Sequence, residues 1–300
     1  MKVAVTGGTG YVGSLLVQAL LDRGDEVAVI TRSAGQRTGG PKLRYVTWSE
    51  LAESPSALEG FGAIVNLAGE SINRRWNEAG KHAILQSRLD AAYAVGAAIA
   101  ALTNKPEVVV NASGISIYGT DASIAHDEES DVRGTDYLSS VVVQWEAAAD
   151  RIPAQRLVKL RVGLVLGMKG GAFPAMLLPY RLFAGGRIGT GKQWIPWIHE
   201  DDMVRLILFC IDNPEIEGPV NASAPEPLTN DDFGRAVGKA AGRPHWFPLP
   251  AFLLKTVLGE LSFLLLEGSR AVPRKALKHG FTFRYADIAS ALRQLLGNGR

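Results

Sequence analysis

Through the first half of the chain, short runs of apolar, mostly β-branched residues alternate with longer segments whose apolar positions recur at helical spacing. KVAVT (2–6), EVAVIT (26–31), LRYVTW (43–48), GAIVNLAG (62–69) and EVVVNAS (107–113) are expected strands, and AQRLVKLRVGLVLG (154–167) is expected as one further strand. Between them, residues 11–23 read as a helix ended by Gly24, 77–102 as a long Ala-rich helix, and 136–150 as the next helix. Strands this apolar, separated by helices, imply a parallel sheet covered on both faces, so the expected class is α/β, doubly wound. Beyond about residue 166 the rhythm breaks. GGAFPAMLLPYRLFAGGRIGTGKQWIPWIHEDD mixes glycine, proline and tryptophan, and is followed by a helix (202–212), a short strand GPVNAS (218–223) and a mainly helical tail from 229, with PHWFPLP (244–250) as a linker or ordered turn. The expectation is a first domain over 1–165, rejoined by 194–223, and a smaller, mainly helical C-terminal substrate lobe built from 166–193 and 224–300.

Composition changes this picture little. With 300 residues, 47% hydrophobic and 21% charged, the chain has ordinary globular proportions. A net charge of +2 is too small to point to nucleic acid or a membrane surface. The N-terminal apolar run reads as a strand rather than a leader, and AAYAVGAAIAAL and LSFLLL fall short of the ~20 residues a membrane span needs. The lone cysteine, Cys210 in LILFC, reads as a buried small hydrophobe and suits a reducing compartment. A soluble cytoplasmic protein is expected.

The first candidate chemistry is VTGGTGYVG (5–13), between the first strand and first helix. Gly7 permits a tight turn, Gly10 lets the backbone approach a pyrophosphate, and Gly13 lets the helix pack closely. The helix start then offers free N–H groups and the positive end of its dipole. A glycine triplet alone is a weak signal, but strand before and helix after make a Rossmann-type dinucleotide site. An NAD site carries an acid at the end of the second strand; here Thr31, Arg32 and Ser33 stand there. Arg32 can form a fork to a 2′-phosphate, with Arg37 as a second contact, so the expected cofactor is NADP(H). The bland alternative is a solvated surface arginine.

TGGTGYVG, NLAG after the fourth strand and Ser-x-x-x-x-Tyr-Gly after the fifth resemble the extended short-chain dehydrogenase/reductases, which include the nucleotide-sugar epimerases. NLAGESINRRWNEAGK (66–81), QSRLDAAY (86–93), QWEAAAD (144–150), GTGKQWIPWIHEDDM (189–203), NASAPEPLTNDDF (221–233), GRPHWFPLPAF (242–252) and LLEGSRAVPRKALKHGFTFRY (265–285) narrow the resemblance to the atypical, epimerase-like YfcH-type family with its own C-terminal domain. It runs nearly end to end. The cofactor set it implies, together with the glycine loop, is Thr6, Gly7, Gly10, Tyr11, Val12, Gly13, Thr31, Arg32, Ser33, Asn66, Leu67, Ala68, Gly69 and Arg161.

The superfamily's usual mechanism uses a tyrosine acid/base, a lysine four residues later that depresses its pKa, and a serine after the fifth strand. Ser113 in NASGISIYG fits the serine, or is a turn residue. Counted back from Glu146, the tyrosine and lysine places hold Leu138 and Val142, which transfer no proton. Tyr137 is one residue off, about 100° around the helix, and its i+4 partner is Val141. Lys81, or Tyr118 with a cationic neighbour, remains as candidate acid/base, with Ser87 and Arg88 nearby on the helix under the nicotinamide half. Ser113, Tyr118, Lys81 and Arg88 form the catalytic set; a packed tyrosine and a solvated charged loop are the alternatives.

Arg75 and Trp76 (after Arg74), and Gln193, Trp194 and His199 in the loop that also holds Trp197, are expected on the substrate side, where tryptophans can stack on a sugar-like ligand. A tryptophan-anchored core joint is the other reading. His199-Glu-Asp-Asp has no second histidine at ligand spacing, so no metal is expected, and the acids read as a helix cap. Two functions stay open: an NADP(H)-dependent oxidoreductase or epimerase with a non-standard acid/base, and a non-catalytic NADP(H) sensor. A small-molecule substrate is expected. A homodimer fits the superfamily habit, although VVVQWEAAAD shows no clear outward apolar face.

Overall fold

The computed structural model describes every residue except 34, 36–38, 122, 133, 135 and 298–300. Seven parallel strands form the central sheet: β1 Lys2–Thr6, β2 Glu26–Thr31, β3 Leu43–Thr47, β4 Ala63–Asn66, β5 Val108–Gly114, β6 Leu157–Val162 and β7 Gly218–Ala222, in the spatial order β7-β6-β5-β4-β1-β2-β3. This is the doubly wound Rossmann order, with its switch point between β1 and β4. The expected fold class stands.

The strands are apolar on both faces because both faces are covered. Val3 and Val5 pack on α1 (Tyr11–Arg23) and on the helix 200–212, through Leu16, Leu20, Ile207 and Cys210. Ala4, Ala28 and Ile64 point the other way, onto Val95 and Ile99 of α2 (Glu78–Ala100). All eleven of these residues are essentially removed from water, at about 1.5–3 kcal/mol for each large side chain. α3 (Tyr137–Ala149) runs beside α2 and is started by Asp136, whose carboxylate accepts the Ser139 N–H at 3.0 Å.

The expected strand 154–167 is in fact two. Gly163 ends β6, and a Cβ there would lie 2.4 Å from the Pro196 carbonyl oxygen. The chain leaves the main sheet at that glycine, and Leu164–Leu166 pairs instead with Trp197–His199. The expected strand 62–69 stops at Asn66, because the chain bends away there to form the loop opposite Gly7. α4 (Glu200–Asp212) precedes β7, and α5 (Asn230–Ala241) and α6 (Ile288–Gly297) follow it. They share a separate core with Phe173, Leu177, Tyr180 and Trp197. The tail also carries a short strand, Arg270–Ala271, paired with Ala125–His126. PHWFPLP is ordered: Trp246 and Phe247 donate their backbone N–H groups to the Gly185 carbonyl, and Leu249 to that of Arg187. Among the described residues no helix is long and apolar enough to cross a membrane.

Candidate cofactor and substrate cleft

The C-terminal ends of β1, β4 and β5 meet at the switch point. Thr6, Asn66 and Asn111 are opposite one another in register and fully buried. Thr6 Oγ1 donates to Asn66 Oδ1 (2.5 Å), Asn66 Nδ2 to Asn111 Oδ1 (2.6 Å), and Ala68 N–H to Thr6 Oγ1 (3.1 Å). Buried polar groups are tolerable only when paired, and this ladder pairs them while fixing the two loops that leave β1 and β4.

Above the ladder sits the glycine loop. Gly7 has φ +66°, and a Cβ on it would meet the Leu67 carbonyl oxygen at 2.7 Å. Gly13 packs onto the loop itself, where a Cβ would lie 2.2 Å from Gly7 O. Gly10 differs from both: apart from Gly7 O, nothing lies within 4 Å of the place a Cβ would take. Gly10 is also the N-cap of α1 and provides no side-chain cap, so the N–H groups of the first turn face open space. An uncapped helix start behind a glycine loop suits a pyrophosphate. Tyr11, expected at the cofactor, leans away over Gly167 and Gly170, and its hydroxyl donates to Glu200 Oε2 at 2.5 Å. Burial, then that carboxylate, pushes the Tyr11 phenol well above its ordinary range.

At the rim, the Arg32 side chain is 89% exposed and stands 3.7 Å from Glu70, which is equally close to Arg74. Thr31 Oγ1 donates to the Ser33 carbonyl (3.2 Å), closing the turn after β2. Arg37 lies outside the described residues. The loop Leu67–Glu70 is held from below: Arg88 donates to the carbonyls of Glu70 (3.0 Å) and Ile84, and Ser87 Oγ accepts the Glu70 N–H at 2.9 Å. Burial lowers the Arg88 pKa, and its guanidinium lies over the Trp145 ring. Arg88 is thus placed as a support for the loop.

The β5 side is closed. Ser113 is buried, and its hydroxyl donates to Glu146 Oε1 at 2.7 Å. Arg161, opposite Ser113 on β6, grips the same carboxylate through Nε (2.8 Å) and Nη2 (3.0 Å). Its Nη1 donates to the Tyr118 hydroxyl (2.8 Å), which donates in turn to Asn221 Oδ1 (2.8 Å). Burial would raise the Glu146 carboxyl, but bonds from Arg161 and its charge hold it below the usual range. Burial pushes the Tyr118 phenol up to about 12, against the pull of Arg161. All three expected site residues are buried and partnered. Arg161 bonds Glu146 and Tyr118. Tyr118 has no exposed surface. The Ser113 hydroxyl is held by Glu146 of α3.

Of the other expected substrate residues, Trp76, Gln193 and His199 are buried. Trp76 is buried with Ile84, Leu138 and Val141, edge-on to Tyr137, and Leu261, Phe263 and Leu264 cover this group. His199 is fully buried: Nδ1 accepts the Asp201 N–H and caps α4, Nε2 bonds Gln294, and the ring lies on Tyr285. The acids after it are not the cap; Asp202 instead takes the backbone N–H groups of Arg284 and Tyr285. Gln193 is buried and donates to the Ile188 and Leu265 carbonyls. Trp194 is half-buried with Arg270 over its ring. Arg75 is exposed. Lys81 pairs with Glu260 at 2.5 Å, a bond that raises its pKa, and lies over Tyr137. Glu146, Asn111, Asn221 and Glu70 carry the site's polar geometry and were not singled out in the sequence. The signal for two of them was present: asparagines at the ends of the apolar runs VVVNAS and PVNAS.

The profile of the NAD dependent epimerase/dehydratase family matches residues 3–222. The chain belongs to this family. A second profile, a domain of unknown function (DUF1731), matches residues 249–295. Among family members, the epimerase family protein YfhF of Bacillus subtilis is 40% identical, over 99% of both chains. The crystal structure of the human epimerase family protein SDR39U1 with NADPH superposes with a TM-score of 0.91 at 38% identity, covering 99% of this chain and 100% of that one. A nucleoside-diphosphate sugar epimerase from Corynebacterium glutamicum gives 0.79 at 30% identity, with 58% of its length covered. The family and its C-terminal extension agree with the resemblance read from the sequence.

Proposed function

We propose that this epimerase-family protein binds NADP(H) and acts as an oxidoreductase or epimerase on a small, sugar-like or other polar substrate, without a tyrosine–lysine pair. The observation that carries this reading is the rim: an uncapped α1 start above Gly10, with Arg32 and no acid at the end of β2. Among the described residues Arg32 pairs with one half-buried carboxylate, Glu70, at 3.7 Å, a contact of about 0–1 kcal/mol that a doubly charged phosphate can outcompete. The human relative solved with NADPH supports the same preference. Thr6, Gly7, Val12, Gly13 and Asn66–Gly69 shape the cradle; Arg88 and Ser87 hold its far wall. The helices over 173–181, 230–241 and 288–297 form the lobe that completes the substrate side, while Ala276, Phe281 and Phe283 of the tail pack on the main sheet.

A bound nicotinamide supplies the hydride chemistry. The proton has to come from elsewhere, and α3 offers none where the superfamily keeps it. Leu138 is buried among apolar side chains, and Val142 lies 3.1 Å from where a Cβ on Gly114 would sit. Ser116 Oγ is 3.3 Å from that same point and half-exposed, so it is the hydroxyl at the cleft end of β5. Lys81 is the remaining acid/base candidate from the sequence. Its pairing with Glu260 stabilises the charged form, which suits holding an anionic group better than exchanging protons near neutral pH.

A second reading, a non-catalytic NADP(H) sensor, is favoured by one observation: Tyr118 and Ser113 are both committed to buried partners. Titration with NADPH and NADH tests the shared part of both readings. At least tenfold tighter binding of NADPH is expected. Equal affinities remove the role given to Arg32.

A further inference from the structure

On the C-terminal lobe, away from the glycine loop, Arg187, Asp231, Arg235, His245, Trp246 and Pro248 line a cavity of about 230 Å³. Its charge is unbalanced. No aspartate or glutamate occurs in residues 151–199 or 233–259, and Asp231 is the single carboxylate in the wall. Asp231 is already engaged: it accepts from Arg235 Nε and from His245 Nε2, both at 2.9 Å. The His245 bond, then Arg235, hold its carboxyl below the usual range, so it stays ionised and neutralises one guanidinium. Arg187 has no carboxylate partner among the described residues. Arg235 uses Nε on Asp231 and keeps its outer N–H groups, on a side chain 64% exposed.

The aromatic wall is rigid. Trp246 is 67% exposed, a costly state for an indole, yet its ring is fixed. Nε1–H donates to the Phe183 carbonyl at 2.8 Å, and its backbone N–H to Gly185 O at 2.9 Å. A Cβ on Gly186 would strike the Phe247 carbonyl oxygen, so the glycine allows the two segments to lie together. Phe183 adopts φ +61°, the one positive value at a non-glycine among the described residues. His245 is equally fixed, with Nδ1 bonded to the Tyr180 hydroxyl at 2.9 Å. Two guanidiniums, an immobile exposed indole and a backbone held in the left-handed region at Phe183 form a built surface rather than a loose loop.

We infer that this cavity is a second ligand site, for a small planar anion: one aromatic ring bearing one phosphate or carboxylate. The ring stacks on Trp246, and the anion is forked by Arg187 and Arg235. The volume sets the size. It lies below the ~300 Å³ at the small end of ordinary ligand pockets, which fits a single ring with its charged group.

Phenyl phosphate, benzoate and inorganic phosphate, titrated calorimetrically into the full chain with NADPH as control ligand, test this. At least one aromatic anion should bind tenfold or more tighter than inorganic phosphate. Whichever of the two is tighter names the anion class. Trp246→Ala and Arg187→Ala should each weaken it at least tenfold, Trp246→Phe should retain most of the affinity, and NADPH affinity should stay within twofold throughout. An affinity for inorganic phosphate equal to that for both aromatic anions would overturn the proposal, as would binding that neither alanine variant changes, or none at 10-fold excess over millimolar protein.

Discussion

The two sides of the cleft follow opposite designs. The β1–β4 side is open: backbone N–H groups, a glycine with clear space above it and an exposed arginine wait at its rim. The β5–β6 side is closed: Ser113, Glu146, Arg161, Tyr118 and Asn221 bond one another in a buried network, and Asn221 also donates to the Val272 carbonyl. Both sides are polar, so polarity alone does not mark a site. What distinguishes them is whether the polar groups already have partners.

The strongest way to break this contrast acts on the open side. Gly13→Val places two methyl groups where even a Cβ would sit 2.2 Å from Gly7 O, so the loop cannot keep its shape. NADPH binding should fall at least a hundredfold in calorimetry, with a stability loss of about 2–4 kcal/mol in urea. On the closed side, Arg161→Met strands the Glu146 carboxylate in the core and should cost about 3–5 kcal/mol, with NADPH affinity changed far less than stability. If that variant lost cofactor affinity and kept its stability, Arg161 would belong to the rim after all.

Smaller effects sharpen the same division. Arg32→Ala should weaken NADPH binding about 10- to 100-fold and leave NADH nearly unchanged. Glu70→Gln removes the carboxylate that competes with the 2′-phosphate and should tighten NADPH severalfold; weaker binding would mean Glu70 holds ribose instead. Glu146 also has a pH signature. Its folded pKa lies below the unfolded value of about 4.3, so its contribution is complete above that pH and is lost as pH falls through the folded pKa. Glu146→Gln should be less stable near neutrality and lose less than wild type on acidification below about pH 4.3.

The open side was the legible one, for a physical reason. Gly7, Gly10 and Gly13 specify backbone geometry within nine residues, and the arginine after β2 follows a fixed distance later, so local spacing carries the information. The doubly wound sheet was legible in the same way, from apolar runs of strand length. The closed side depends on which residues from β5, α3, β6 and β7 meet, and no local pattern states that. Tyr118 beside a glycine, and His199 before three acids, look like chemistry in one dimension. In three dimensions one is a core phenol and the other a helix cap. The split of 154–167 at Gly163 was likewise hidden, because the obstruction is the Pro196 carbonyl far along the chain.

That the protein transfers hydride while lacking a tyrosine–lysine pair is tested most directly with deuterium. The purified chain is mixed with NADPH deuterated at C4, each face separately, and a metabolite extract, and mass spectrometry follows where the label goes. The account predicts one metabolite that gains a single deuterium from one face only, and that does so in the Tyr118→Phe variant as well. No labelled metabolite, with NADPH binding demonstrated in the same tube, would contradict net reduction and leave a hydride-returning epimerase or the sensor, with the weight moved toward the sensor.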